Sequence, residues 1–260
     1  MAKHNDFSRG PVWKCIVVQA VPLMIAQMVQ LLYNVVDRIY LGHMGDGNSL
    51  ALTGVGLTFP VITLIMAFTA LFGNGGVPLF SMARGAGDED RAGSILGNSF
   101  ALLAASCGLL MAAGYLFCEP ILYAFGASDE SYVYAREYLD IYLLGTVFTM
   151  TATGLNGYIN AQGFPKIGML SIVIGAVSNI VLDPIFIFIF DMGVSGAALA
   201  TVISQCLSAF LVTRCLCHEE GIIHLDLKAL RIEKLRLKQI LAIGIPSGMQ
   251  ALFMSISSFL

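Results

Sequence analysis

The sequence predicts an all-α integral membrane protein, built as a six-helix transmembrane lobe followed by the start of a second lobe in parallel repeat. Three observations carry that prediction. Of 260 residues, 57% are hydrophobic and only 12% charged, against about 25% charged in soluble domains, and the mean hydropathy is +0.80. The apolar residues gather in blocks at least as long as the roughly 20 residues a helix needs to cross the hydrocarbon core. Basic residues fall in every second loop, the asymmetry that orients membrane helices.

The blocks run approximately over 15–41, 50–80, 93–118, 132–162, 168–190, 194–217 and 239–260. Between them lie polar or turn-forming segments such as GHMGDGNS, ARGAGDEDR, QGFPK and FDMGVSG, and a longer one from His218 to Lys238. Six spans are complete and a seventh is expected to be cut off at Leu260. The first block exceeds a signal-peptide core and lacks a small-x-small cleavage site, so span 1 is expected to stay in the mature protein. Lys3, Arg9, Lys14, Arg84, Arg91, Lys166, Arg214, Lys228, Arg231, Lys234, Arg236 and Lys238 all fall on one side, twelve of the fourteen basic residues. The other two, Arg38 and Arg136, lie near span ends and are expected to snorkel outward. The N-terminus is therefore expected in the cytoplasm, with the protein a multi-pass component of the cell membrane.

Lys14, Ile16 and Pro22 recur as Lys238, Ile240 and Pro246 at a constant offset. Six spans separate the copies, so spans 1 and 7 start on the same side, as in transporters whose halves are related by an axis along the membrane normal. The expected organisation is a lobe over 1–217, a cytoplasmic amphipathic linker over 218–238, and the truncated first helix of a second lobe over 239–260.

An ionised group at mid-bilayer costs about 2.5–3.5 kcal/mol on insertion scales, so intramembrane carboxylates demand an explanation. Two stand out, Asp37 and Asp183. On span 1, Gln27, Gln30, Asn34 and Asp37 fall within an arc of roughly 80° at about 100° per residue, and Gln19 projects onto the same arc. Such a stripe belongs to a bundle interior or wet cavity, although helix-to-helix hydrogen bonding would use the same amides. On span 5, Asn179 and Asp183 are spaced i, i+4 and share one face. Pro184 follows, and its ring displaces the carbonyl four residues back, so the helix should bend at the carboxylate. At about 1.5 Å per residue, Asp183, Asn179, Asp37 and Thr201 of span 6 all lie in the outer half of the bilayer. Their oxygens suit a hard cation, and two close carboxylates can also share a proton. Sodium and proton both remain open. Asn156 on span 4 projects nearer the cytoplasmic side.

Other motifs carry less. The glycine-containing RGAGDEDRAGS lacks the Gly-Lys-Ser/Thr ending of a phosphate loop and reads as a tight turn with Asp88 capping the next helix. Cys215, Cys217 and His218 lack a fourth ligand, so no transition-metal site is expected. The six cysteines fall without paired spacing and read as small hydrophobes. Net charge is −3 with no basic patch, which argues against nucleic acid as a partner. HLDLKALRIEKLRLKQ reads as a basic amphipathic stretch at the cytoplasmic membrane surface. No nucleophile and base pair suggests an enzyme, and no cofactor is expected.

VPLMIAQMVQLLYNVVDRIYLGHMG followed by LALTGVGLTFP, then RGAGDEDRAG, GLNGYINAQGFPK, SNIVLDPIFIF and GVSGAALATVISQ together resemble the multidrug and toxic compound extrusion transporters, over the whole chain. The resemblance implies a twelve-helix exporter of two six-helix lobes that alternates between inward-facing and outward-facing states, driven by sodium or protons. It places Asp37, Asn179, Asp183 and Thr201 in a cation site, with Tyr33 and Asn156 nearby and the amides Gln27, Gln30 and Asn34 in support. The implied substrates are amphipathic, often cationic organic compounds, and the missing C-terminal lobe would be needed for transport. A flippase for lipid-linked oligosaccharides is the competing reading. Its anionic substrates call for basic residues deep in the spans, where the sequence instead places two aspartates.

Overall fold

The computed structural model describes residues 11–42, 48–217, 223 and 233–259. In chain order these form α1 (Val12–Gly42), α2 (Asn48–Thr69), a π-helical turn (Ala70–Asn74), α3 (Gly75–Gly85), α4 (Glu89–Ala124), α5 (Asp129–Ala161), α6 (Pro165–Pro184), a second π turn (Ile185–Ile189), α7 (Gly193–Cys217) and α8 (Lys234–Phe259). Each expected span is matched within a few residues, span 2 being α2, the first π turn and α3 in series.

The helix boundaries follow local chemistry. Asp88 caps α4 as the sequence suggests, its carboxylate accepting from the Arg91 amide at 3.0 Å. Ser128 and Ser131 form a reciprocal capping box at the start of α5, satisfying donors that a helix leaves open. Pro165 occupies the first turn of α6, where its missing N–H is harmless. Gly126 and Gly163 close α4 and α5 with φ of 93° and 90°, a left-handed conformation that costs glycine little.

Helix α5 is the axis of the bundle. It packs against α7, α2, α4 and α6 and buries Tyr138, Leu139, Tyr142, Leu143, Met150 and Leu155 among others. This explains the one difference from the expected six complete spans. Five segments are apolar and long enough to cross a membrane by composition, Trp13–Tyr40, Leu50–Gly85, Glu89–Ala124, Pro165–Ile189 and Gly193–Cys217. At 33 residues α5 has the length, but it carries Asp129, Glu130, Arg136, Glu137 and Asp140 in its first turns and Thr, Asn and Gly further on. A helix surrounded by other helices need not be apolar toward lipid. The chain is a multi-pass membrane protein with exposed apolar side chains such as Met24, Leu31, Leu116 and Phe210 on its outer faces.

Two close approaches fix the inner seam. A Cβ on Gly73 would lie 2.6 Å from the Gly154 carbonyl oxygen, and one on Gly75 would lie 2.8 Å from the Gly244 Cα. Glycine at these points lets the first π turn and α3 meet the backbones of α5 and α8. At the end of α5, Ile223 is held by Gln162, its N–H donating to Gln162 Oε1 at 3.2 Å and its carbonyl accepting from Gln162 Nε2 at 3.1 Å. Otherwise residues 218–222 and 224–232, including His218 and most of the basic amphipathic stretch, lie outside the described residues, as do Lys3 and Arg9.

The two arginines expected to snorkel also have protein partners. Arg136 Nε pairs with Asp140 Oδ2 at 2.9 Å, one helical turn along α5. Arg38 stacks over Phe59, 5.3 Å from the ring centroid. In both cases a neighbouring carboxylate or aromatic face competes with water for the guanidinium.

Candidate functional site

Four helices converge on one polar pocket. The i, i+3, i+4, i+7 spacing of α1 presents Gln30, Tyr33, Asn34 and Asp37 to a cavity of about 550 Å³, whose walls also include Arg38, Phe59, Met66, Tyr138, Tyr142, Thr201 and Gln205. Behind it lies a narrow cleft of about 30 Å³ bordered by Ser171, Gly175, Asn179, Ser204 and Ser208, room for a water or a small ion and little more. Gln30, Tyr33, Thr153, Thr201 and Gln205 border both spaces.

Helix α6 supplies the deepest group. Asp183 is 0% exposed and Asn179 2%, so Asp183 does not reach water at the surface of the lobe. It is enclosed by α1, α5 and α7, which pack against α6. Pro184 has no N–H to donate, and the chain relaxes directly into the second π turn, where the Phe190 amide reaches back five residues to Ile185 O at 2.9 Å. That wider turn carries the chain past the buried carboxylate.

The cluster itself is short of donors. Asn179 Nδ2 is shared between Asp183 Oδ1 at 3.4 Å and Thr201 Oγ1 at 3.3 Å, while Thr201 donates to the Ala197 carbonyl at 3.0 Å. Asp37 on α1 and Asp183 on α6 lie close enough for their carboxyl groups to interact. Tyr33 lines the same cavity as Asp37. Asp183 Oδ2 and Asn179 Oδ1 are buried without a hydrogen-bond partner. Buried acceptors with no donor are costly, and a proton or a hard cation would relieve them.

The structure therefore brings together Asp37, Asn179, Asp183, Thr201 and Tyr33, with Gln30 and Asn34 on the cavity wall. Gln27 is exposed and borders neither space. Asn156 belongs to a separate polar clasp on the other half of α5 and α6, donating to the Gly168 carbonyl at 3.0 Å and Ser171 Oγ at 2.9 Å. Gln19 joins that clasp through the Asn160 carbonyl. Sequence reasoning missed Tyr138 and Tyr142, which stack on each other with ring centroids 5.9 Å apart and close the cavity from α5. Their i, i+4 spacing was visible, but nothing in it separates a cavity wall from ordinary core. Among the described residues no group of three or more His, Cys, Asp or Glu could hold a metal ion.

A family model described as MatE matches residues 22–185, a stretch that runs from the proline of α1 past both carboxylates. The chain belongs to the MatE family. It is 28% identical over 250 residues to the multidrug export protein MepA of Staphylococcus aureus, covering 95% of this chain and 54% of that protein. Among solved structures, an outward-facing multidrug resistance MATE family transporter of the MOP superfamily superposes with a TM-score of 0.86 at 32% identity, covering 95% of this chain and 54% of its own. A MOP superfamily transporter from Pyrococcus furiosus, whose reversed pocket polarity suggests a different function for it, superposes with a TM-score of 0.89 at 31% identity, covering 99% and 57%. The chain thus spans about half the length of the MatE relatives it matches.

Proposed function

We propose that this MatE chain forms the ion-coupling lobe of an antiporter that exports amphipathic, often cationic organic compounds across the cell membrane by alternating access, exchanging them for sodium ions or protons. Residues 1–217 form the N-terminal lobe, 218–238 the cytoplasmic linker and 239–260 the first helix of a second lobe that completes the transporter, with the N-terminus in the cytoplasm. The single observation that carries the coupling is the pair of orphaned, buried acceptors, Asp183 Oδ2 and Asn179 Oδ1, beside a second carboxylate. Entry of the ion at Asp37, Asn179, Asp183 and Thr201 supplies what these oxygens lack. It thereby favours one of two packings of α1 against α6, and a ligand shifts such an equilibrium only by its differential affinity for the two states. The ion is cargo, and no resident cofactor is needed.

The cavity supports the substrate class. About 550 Å³ lies within the range of drug-sized sites, and Tyr33, Phe59, Tyr138 and Tyr142 offer aromatic faces to a cation beside the Asp37 carboxylate. The flippase reading draws on one observation, Arg38 on the cavity wall, which could meet a pyrophosphate. Its guanidinium is already engaged by Phe59, and Asp37 is its neighbour in sequence, so the wall offers an anion no net attraction.

Ethidium efflux from vesicles carrying the natural gene product, with sodium and pH gradients imposed separately, tests the proposal. One gradient drives efflux in the wild type. Asp37→Asn and Asp183→Asn each abolish it while leaving membrane insertion intact. Undiminished gradient-driven efflux in both variants would refute the coupling, and gradient-driven movement of a lipid-linked sugar in place of ethidium would favour the flippase.

A further inference from the structure

The narrow cleft at Asn179, one turn of α6 from Asp183, leads into a chain of polar side chains along the lobe. From Asn179 it passes Ser204, then Ser208 and Ser171 where α6 and α7 face each other. Ser208 donates to the Ser171 carbonyl at 2.6 Å, and Ser171 meets Asn156. Asn156 accepts from Asn160 Nδ2 at 3.0 Å, and Asn160 stands beside the α5–α6 loop, with Gln19 on its carbonyl. From Asp183 to Gly168 this track covers about 22 Å of α6 at 1.5 Å per residue, most of a hydrocarbon core of about 30 Å. It is lined by hydroxyls and amides inside an otherwise apolar bundle. Two further acceptors along it have no partner, Ser204 Oγ and Asn160 Oδ1, and Ser204 is only 2% exposed. Space for the track is kept by glycine. A Cβ on Gly175 would collide with Ser208 Oγ, and one on Gly168 with Asn160 Oδ1.

We infer that this track is a second, lobe-internal route by which the coupling ion leaves Asp183 toward the α5–α6 end, with the Asn156–Gly168–Ser171 clasp as its gate. The inference rests on the coupling proposed above. The larger cavity, which shares Gln30, Tyr33, Thr153, Thr201 and Gln205 with the track as lining, serves the organic substrate. Two exits would let the ion depart along the track while substrate occupies the cavity. Orphaned hydroxyl and amide oxygens spaced along a dry helix interface are what a transient file of water or a partly dehydrated cation would satisfy.

Silver ion, small and thiol-reactive, is the probe. The natural gene product, with its native cysteines replaced by alanine, is placed in inside-out vesicles so that the cytoplasmic face is outside. Ser204→Cys and Ser208→Cys are expected to react with added silver at least tenfold faster than Phe210→Cys, a lipid-facing position on the same helix that is 62% exposed. Gly175→Ala in the Ser204→Cys background should slow the reaction at least tenfold, and adding Ser208→Ala to make room should restore it. That rescue separates blockage from misfolding. Equal rates at Ser204→Cys and Phe210→Cys, or reaction only from the opposite face, would overturn the route while leaving the Asp183→Asn efflux test untouched. Rapid labelling together with normal efflux in Asp183→Asn would instead leave a hydrated track without the coupling it was inferred to serve, and the route for the ion would fall with that reading.

Discussion

Two polar regions of this chain use the same side chains to opposite ends. At the inner seam, Asn98 and Gln162 are 2% and 1% exposed, and their amides are spent on backbone. Asn98 donates to Ser94 O at 2.8 Å and accepts the Glu233 amide at 2.8 Å, while Gln162 holds both backbone groups of Ile223. In the pocket beside Asp183, Asn179 is equally buried, yet its two N–H donors reach side-chain oxygens only at 3.3 and 3.4 Å and its oxygen has no partner. Satisfied buried amides rigidify a fold; unsatisfied ones are held in place by the fold around them. The seam should therefore answer to stability measurements and the pocket to transport measurements.

The largest stability loss is expected where backbone meets backbone. Gly73→Ala drives a methyl against the Gly154 carbonyl, and neither partner is a flexible side chain that could move aside. Overpacking of this kind costs about 3 kcal/mol, a drop of roughly 6–12 °C in the melting midpoint for a protein of this size, read by thermal unfolding in detergent. Next comes Gln162→Ala, which strands the N–H and C=O of buried Ile223 and should cost about 2 kcal/mol. Ion-driven efflux per folded molecule should stay within twofold of wild type. Loss of coupling in Gln162→Ala at normal stability would break the contrast, because it would make the seam part of the ion machinery. Asn98→Ala removes a cap from the start of α8 and should cost about 1 kcal/mol.

How much of this was legible in the sequence depended on whether a residue announces its cost. The spans were readable because membrane thickness fixes their length, and Asp37 and Asp183 because a carboxylate in hydrocarbon is conspicuous alone. The pairing of α1 with α6 followed from depth counting, and the structure places both carboxylates in reach of each other. Tyr138, Tyr142, Ser204 and Gly175 were not legible. A tyrosine, serine or glycine in an apolar helix costs little by itself, and its meaning comes from what faces it across another helix. Asn156 was legible in the same way as the carboxylates: depth counting set it apart from Asn179, and its partners Gly168 and Ser171 belong to the far half of α6.

The smallest stability change is the most discriminating. Asp183→Asn keeps the shape of the side chain and removes its charge. The new amide oxygen can still accept from Asn179 Nδ2, now 3.4 Å from Asp183 Oδ1, and the new N–H₂ can donate toward the Asp37 carboxylate. Relieving a buried carboxylate that lacks a donor is neutral to stabilising, so the melting midpoint should hold or rise by the equivalent of at most about 1 kcal/mol, while ion-dependent stabilisation of the wild type disappears. The measurement is a melting curve with and without sodium and across pH for both proteins. A midpoint lowered as far as in Gln162→Ala would mean that Asp183 is structural glue like the amides of the seam. A midpoint that holds while the response to the ion is lost would mean that the fold carries this carboxylate for its charge.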